Sequence, residues 1–172
     1  MDWVKEIAIA VLVKRKVADA DVEHVWDHAF PGVAATEQEI GDIEARLGFS
    51  LDAEHRAFLL HANGWDWFFQ SVDVFGTSDL LEGSRCQRAE ELLKSLESLS
   101  DLCGFSRDEL LPIAVSRFNT DVFAISTSRS QSPGTVLWFA GQVIDTFPSF
   151  SEWFLSLVDY NRSEYQALIE GK

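Results

Sequence analysis

The sequence predicts a single α+β domain whose strands pair mainly antiparallel. Helical patterns come first along the chain, short β-branched and aromatic segments fill its middle, and a strongly amphipathic helix closes it. Helices and strands that separate along a chain in this way are typical of α+β proteins. The length of 172 residues suits one domain, and 47% apolar residues supply a core of adequate size. We therefore interpret residues 1–172 as one domain.

Four helical segments are predicted in the first third of the chain. Apolar residues recur with helical spacing over residues 3–12, and a shorter helical piece is expected at residues 22–28. The clearest helix start is Thr36, because its hydroxyl can accept from the third amide of the helix while Glu39 reaches back to the Thr36 amide. A further helix is expected over residues 52–62.

Strands and two later helical regions account for the rest of the chain. Aromatic and β-branched runs with turn residues between them predict strands at 65–69, 72–75, 111–115, 122–127, 135–140 and 143–147. Short connections favour antiparallel pairing in a meander. Helical patterns cover residues 79–99, begin again at Ser149 with a capping pattern, and return as a final piece at residues 164–169.

The charge balance restricts the classes of partner. Fourteen Lys and Arg against 28 Asp and Glu give a formal net charge of −14. Nucleic acid and anionic membranes are therefore excluded as expected partners, whereas a basic protein would be attracted. The same charge can also serve solubility alone, and this alternative stays open.

Cysteine usage and hydropathy predict a cytoplasmic protein. Cys86 and Cys103 are the only cysteines, and their spacing indicates neither a disulfide framework nor a zinc site. The apolar run at residues 7–13 is short and follows acidic residues, unlike a signal peptide. No stretch approaches the ~20 apolar residues that span a bilayer.

Few residues carry a pattern for catalysis or metal binding. His24 and His28 could share a helix face and reach one metal, but no third ligand is identifiable, so two surface histidines are favoured. Asp66, Asp73 and Asp79 flank the first strand pair, where two carboxylates could act as acid and base. Strand-end carboxylates are more often turn or cap residues. We therefore expect no catalytic residue, no metal and no cofactor, and we keep a hydrolase that uses Asp66 or Asp73 as an alternative.

The aromatic residues are more informative about binding. In a regular strand, Trp65, Trp67 and Phe69 would face one side, and Asp66 and Phe68 the other. Such density favours rings that line a groove or anchor a partner, unless helices cover both faces. Acidic residues on the helices before and after this segment would form a rim around it. The residues expected to bind a partner are Trp65, Asp66, Trp67, Asp73, Trp138, Glu37 and Asp42.

The order of these features resembles the SUKH superfamily, which includes the yeast cell-wall-synthesis regulator and many bacterial immunity proteins. The resemblance spans about residues 33–160 and leaves residues 1–30 as a helical extension. The resemblance rests on an ordered series of motifs and not on any single motif. That series is Thr36-Glu37-Gln38-Glu39-Ile40, Ile43-Glu44-Ala45-Arg46-Leu47-Gly48, Leu51, Phe58-Leu59-Leu60, Asn63-Gly64, Leu111-Pro112-Ile113-Ala114, Val136–Phe139 and Ser149-Phe150-Ser151-Glu152-Trp153-Phe154.

The resemblance implies helices packed on a curved, mainly antiparallel sheet and a binding role without catalysis. Bacterial members of the superfamily typically neutralise a cognate toxin domain, often a nuclease or a deaminase, that is encoded beside them. The leading hypothesis is therefore an acidic immunity protein that binds a basic toxin domain. The alternative is an intracellular regulator or scaffold that binds several cellular proteins. A homodimer interface is a further possible use of the six tryptophans.

Overall fold

The computed structural model describes residues 1–171, which form six α-helices and a six-stranded sheet. The elements, in chain order, are α1 (Trp3–Ala20), α2 (Glu37–Leu47), α3 (Ala53–Leu59), β1 (Trp65–Phe69), β2 (Val72–Val74), α4 (Ser84–Lys94), α5 (Leu99–Cys103), β3 (Leu110–Ser116), β4 (Val122–Ser126), β5 (Val136–Phe139), β6 (Val143–Phe147) and α6 (Phe150–Glu170). This arrangement confirms the predicted α+β class.

The sheet is an open antiparallel meander in which each strand pairs with the next along the chain. Helices α4 and α5 are inserted between β2 and β3. Every residue of β3 and β4 is buried, which requires cover on both faces of the sheet centre. Helix α6 packs against β1 and β6, and α4 packs against β3 and β4. Helix α1 lies along α6.

Aromatic rings join the outer helices to the sheet. Trp3 of α1 lies 5.5 Å from Phe58 and 5.3 Å from Phe154, measured between ring centroids. Phe154 stacks in turn on Phe68 of β1 at 5.1 Å. Edge and offset pairs of this kind add to the free energy of burial. The N-terminal helix therefore belongs to the same core as the sheet.

The predicted helix at residues 22–28 is wrong. The Asp21 side chain, which is 2% exposed, accepts hydrogen bonds from the amides of Val25 at 3.0 Å and Trp26 at 3.1 Å. A carboxylate that binds its own downstream amides offers the backbone an alternative to the helix. His24 adopts a positive φ of 51°, so His24 and His28 do not share a helix face.

Two other predicted helical regions differ in extent. The region 79–99 contains α4 and then a break at Ser98, which has a φ of 49°, before the short α5. The final piece expected at residues 164–169 is continuous with α6. The long apolar face of α6 explains this continuity, because packing on α1 and β1 supports the helix along its length.

The expected cap at Thr36 is confirmed. Thr36 Oγ1 accepts from the Glu39 amide at 3.2 Å, and Glu39 Oε2 accepts from the Thr36 amide at 2.7 Å. These two bonds satisfy donors that the first turn of α2 would otherwise leave open.

The Asn63-Gly64 pair holds the end of α3 against the end of β2. Asn63 accepts from the Thr77 amide at 2.7 Å and donates to the Thr77 hydroxyl at 3.0 Å. Gly64 has a φ of 84°, and a Cβ atom there would lie 2.6 Å from the Gly76 nitrogen. Only glycine fits this close approach of two backbone segments.

Candidate protein-binding site

The first strand of the sheet does not alternate as the sequence predicts. Trp65 and Phe68 are both buried, and the register of the β1–β2 pair shifts between Trp65 and Phe69. Trp67 has a positive φ of 55°, and its amide donates to Asp73 Oδ1 at 2.9 Å. This bulge turns Trp67 out of the regular pleat. The predicted grouping of Trp65 with Trp67 on one face is therefore wrong.

Asp73 stands at the centre of an ion-pair cluster that fixes the bulge. Its side chain is 1% exposed, and its Oδ2 atom lies 2.7 Å from Arg117 Nε and 3.1 Å from Arg85 Nε. The same arginines reach Asp66 Oδ2, at 3.0 Å and 2.8 Å respectively. A buried carboxylate is tolerated when paired charges offset its desolvation. We call Asp66, Asp73, Asp79, Arg85 and Arg117 the ion cluster.

The electrostatics of the ion cluster favour structure over acid–base chemistry. Burial opposes the charge on Arg85, but its hydrogen bond to Asp66 and the charges of Asp73, Asp66 and Asp79 hold its pKa above the usual value. Both arginines contact Asp66 Oδ2 and Asp73 Oδ2, and Asp73 Oδ1 accepts from the Trp67 amide, so both oxygens of the buried Asp73 are engaged. The cluster clamps β1, β2, α4 and the β3–β4 loop together.

An exposed aromatic surface adjoins the ion cluster. The Arg117 guanidinium lies 4.3 Å from the centroid of the Trp67 ring. Trp67 also contacts Phe118, with 5.9 Å between ring centroids. Phe118 is 70% exposed in the loop between β3 and β4. A cation–π contact of this kind holds the ring of Trp67 in place.

The same loop leads to a second group of rings. Asp121 accepts from the Trp138 indole at 2.8 Å. Trp138 lies 6.0 Å from Tyr160 of α6, and Tyr160 lies 5.7 Å from Phe69, between centroids. The rings at this end of the sheet are partly or largely exposed. They form two groups, Trp67 with Phe118 and Trp138 with Tyr160 and Phe69, and we call the five rings together the aromatic patch.

The other residues expected to bind a partner lie elsewhere. Trp65 is 1% exposed, and its indole donates to the Ala29 carbonyl at 2.9 Å, so it belongs to the core. Glu37 and Asp42 are exposed on α2, where Glu37 pairs with Arg56. The structure thus brings together Asp66, Trp67 and Asp73 through the ion cluster and places Trp138 in the other ring group, beside Tyr160.

Sequence reasoning missed Phe118, Tyr160 and the two arginines of the ion cluster. A signal for Phe118 was present, since a large apolar residue stands in a short turn between two strands. Arg117 and Tyr160 left no such signal, because their contacts join segments far apart in the chain.

The described residues bear on two kinds of feature: a cluster of metal-ligating side chains and a helix that could cross a bilayer. Residues 1–171 contain no group of three or more His, Cys, Asp or Glu placed to hold a metal ion. His28 instead lies 3.4 Å from Asp21, between Nε2 and Oδ2. Over the same residues, none of the helices combines the length and hydrophobicity that crossing a bilayer requires.

The antiparallel meander with helices packed on it defines an α+β domain. Residues 34–156 match the SMI1 / KNR4 family (SUKH-1), and the chain belongs to this family. The match confirms the resemblance to the SUKH superfamily. The crystal structure of a protein from Pseudomonas syringae pv. tomato is similar at 16% identity, over 81% of this chain and 92% of that one, with a TM-score of 0.47. No curated protein matches the chain.

Proposed function

We propose that this chain is an immunity protein that neutralises a cognate basic toxin domain of nuclease or deaminase type, without catalysis of its own. The observation that carries the proposal is the aromatic patch beside the ion cluster on a chain with a net charge of −14. Membership in the SUKH-1 family supports a protein partner. A cytoplasmic location fits the two free thiols, Cys86 and Cys103.

Trp67 and Phe118 are the proposed anchors of the complex. Phe118 is 70% exposed, and Arg117 fixes the neighbouring Trp67 ring before any partner arrives. A ring that is already ordered loses little conformational entropy on binding. Buried aromatic anchors typically cost ~2 kcal/mol or more on truncation to alanine. Trp138 is the proposed second anchor, in the other ring group of the patch.

Acidic residues supply the proposed steering. Enzymes that act on nucleic acid present basic surfaces to the phosphate backbone, so an acidic protein is attracted to the same surface. Asp66 borders the patch with 45% of its side chain exposed, and Glu37 and Asp42 extend the acidic surface onto α2. Trp65 and Asp73 act as supports: Trp65 anchors the start of β1 in the core, and Asp73 holds the bulge at Trp67.

A pull-down with the tagged full chain tests the proposal. The protein is incubated with a lysate of its native host at low and moderate salt, and retained proteins are identified by mass spectrometry. We expect one dominant basic partner that is still held at moderate salt. Its catalytic activity, assayed on nucleic acid or free nucleosides after purification, should fall when the chain is added at an equimolar amount.

Matched variants locate the binding surface. Trp67→Ala and Phe118→Ala should weaken capture about tenfold or more, because each removes a ring of the patch. Phe30→Ala removes a ring that is 77% exposed outside the patch and should leave capture unchanged. Equal capture by all three variants, each shown to be folded by circular dichroism, would refute the assigned surface.

The alternative, a regulator or scaffold with several partners, predicts a different pull-down. Many weakly held proteins that are lost together as salt rises would indicate that charge acts alone. Retention of a second copy of this chain, with a dimer in analytical ultracentrifugation, would assign the patch to self-association.

A further inference from the structure

A buried lysine lies at the inner side of α1, far from the chemistry considered above. Lys14 is 5% exposed, and within residues 1–171 its ammonium group forms neither a hydrogen bond nor an ion pair. Buried charges in proteins are normally paired, because removing them from water is costly. Burial lowers the pKa of Lys14 to about 8, against the opposing charge of Glu164. The buried part of Lys14 is its side-chain stem, and the residue lines a cavity in which the ammonium group can meet solvent.

Lys14 lines a cavity of about 550 Å³ between α1 and residues 28–30. This volume falls within the ~300–1,000 Å³ typical of small-molecule sites. The walls are largely apolar, and two of their side chains, Leu12 and Phe30, are 62% and 77% exposed to solvent. Arg15 also lines the cavity, is exposed, and forms no ion pair within the described residues.

The acids near Lys14 are already engaged. Asp21 accepts from the amides of Val25 and Trp26 and lies 3.4 Å from His28 Nε2. Glu164 of α6 is partly buried and accepts from Gln70 Nε2 at 3.5 Å, and burial raises its pKa despite the charge of Lys14. His28 lines the cavity, and its buried Nδ1 atom has no hydrogen-bond partner among residues 1–171. The cavity thus presents cationic and donor groups on a chain that is otherwise strongly acidic.

We propose that this cavity binds a small organic anion: a monocarboxylate with an aliphatic or aromatic body. The carboxylate pairs with Lys14 and Arg15, neither of which forms an ion pair within residues 1–171. The apolar body lies against Leu12 and Phe30, where it covers exposed apolar surface. The site is separate from the aromatic patch and does not depend on a toxin partner.

Octanoate is the probe for this site, with octan-1-ol as the neutral compound of equal chain length. Isothermal titration of the full chain should show one octanoate site, with at least tenfold weaker binding of the alcohol. Lys14→Met should reduce octanoate affinity about tenfold or more and abolish the preference over the alcohol. Lys14→Arg should retain most of the octanoate affinity. Lys94→Met, at an exposed lysine of α4, should leave the octanoate affinity unchanged.

The outcomes separate the possibilities. Absence of octanoate binding at millimolar concentration, or equal affinity of the chain and its Lys14→Met variant, would overturn the proposal. Equal binding of octanoate and octan-1-ol would show an apolar groove without a carboxylate site. Chemical-shift changes on octanoate addition should centre on Leu12, His28 and Phe30; changes confined to the aromatic patch would also refute it.

Discussion

The buried histidine of α3 makes a quantitative prediction about acid stability. His55 is 0% exposed, and its ring stacks on Phe150 with centroids 4.9 Å apart. Neither ring nitrogen has a hydrogen-bond partner within residues 1–171. Burial lowers the pKa of His55 from 6.5 to about 3, because nothing in this pocket compensates a positive charge.

The sign of the pH effect follows from this shift. Below pH 6.5 the unfolded chain takes up a proton at His55 that the folded chain refuses until about pH 3. The free energy of unfolding therefore falls as the pH drops through this window, by ~1.4 kcal/mol per pH unit once the unfolded histidine is mostly protonated. The expected loss from His55 is about 2 kcal/mol at pH 5 and about 3 kcal/mol at pH 4, relative to pH 8.

The test compares His55→Leu with the unsubstituted chain in urea denaturation at pH 8, 5 and 4. The free energy of unfolding of the variant should rise relative to that of the unsubstituted chain by these amounts as the pH falls, because leucine binds no proton. Carboxylates that also lose stability in acid are common to both proteins and cancel. His61→Gln, at an exposed histidine, is the matched control and should show no such gain. A constant difference between His55→Leu and the unsubstituted chain from pH 8 to pH 4 would refute the reasoning.

Three further substitutions test other parts of the structure. Lys14→Met should raise the free energy of unfolding at pH 7 by up to about 3 kcal/mol, because the pKa of Lys14 is about 8 in the folded chain and 10.5 in the unfolded chain. Urea denaturation should show that this gain shrinks as the pH rises from 8 to 10.5. Thr36→Ala removes the capping box of α2 and should cost about 1 kcal/mol in thermal unfolding, whereas Thr36→Ser should cost little. Gly64→Ala places a Cβ atom 2.6 Å from the Gly76 nitrogen at a φ of 84° and should cost about 2 kcal/mol or more. Gly41→Ala, in open space on α2, is its control and should be neutral or stabilising; equal effects of the two glycine substitutions would contradict the packing argument.

Local patterns predict much of this fold because the forces that act there are local. The cap at Thr36 lies within four residues of its partner, and the strands of the meander join neighbours through short turns. Residues 22–28 show the opposite case: their apolar spacing indicates a helix, but one carboxylate, Asp21, diverts two backbone amides from it.

The candidate site is predictable only in part, for a related reason. The density of rings after Asn63-Gly64 identifies the right strand, and Trp67 and Asp66 do lie at the surface. The bulge that separates Trp67 from Trp65 depends on Asp73 and on Arg117, which meets Asp66 from 51 residues away in sequence. Periodicity within one strand contains no information about such a contact, so the sequence predicts regular alternation instead.

The pairing of α1 with α6 has a consequence for how the chain matures. Trp3 finds its aromatic neighbours on α6 only after more than 140 further residues have been synthesised. Until α6 leaves the ribosome, the faces of α1 and of the meander that α6 covers remain exposed, and contacts of such long sequence separation form slowly. The nascent chain therefore passes through a stage that chaperones can recognise. If this chain is divided into two polypeptides between β6 and α6, both surfaces are exposed. The complete fold should then form only when the two polypeptides are mixed.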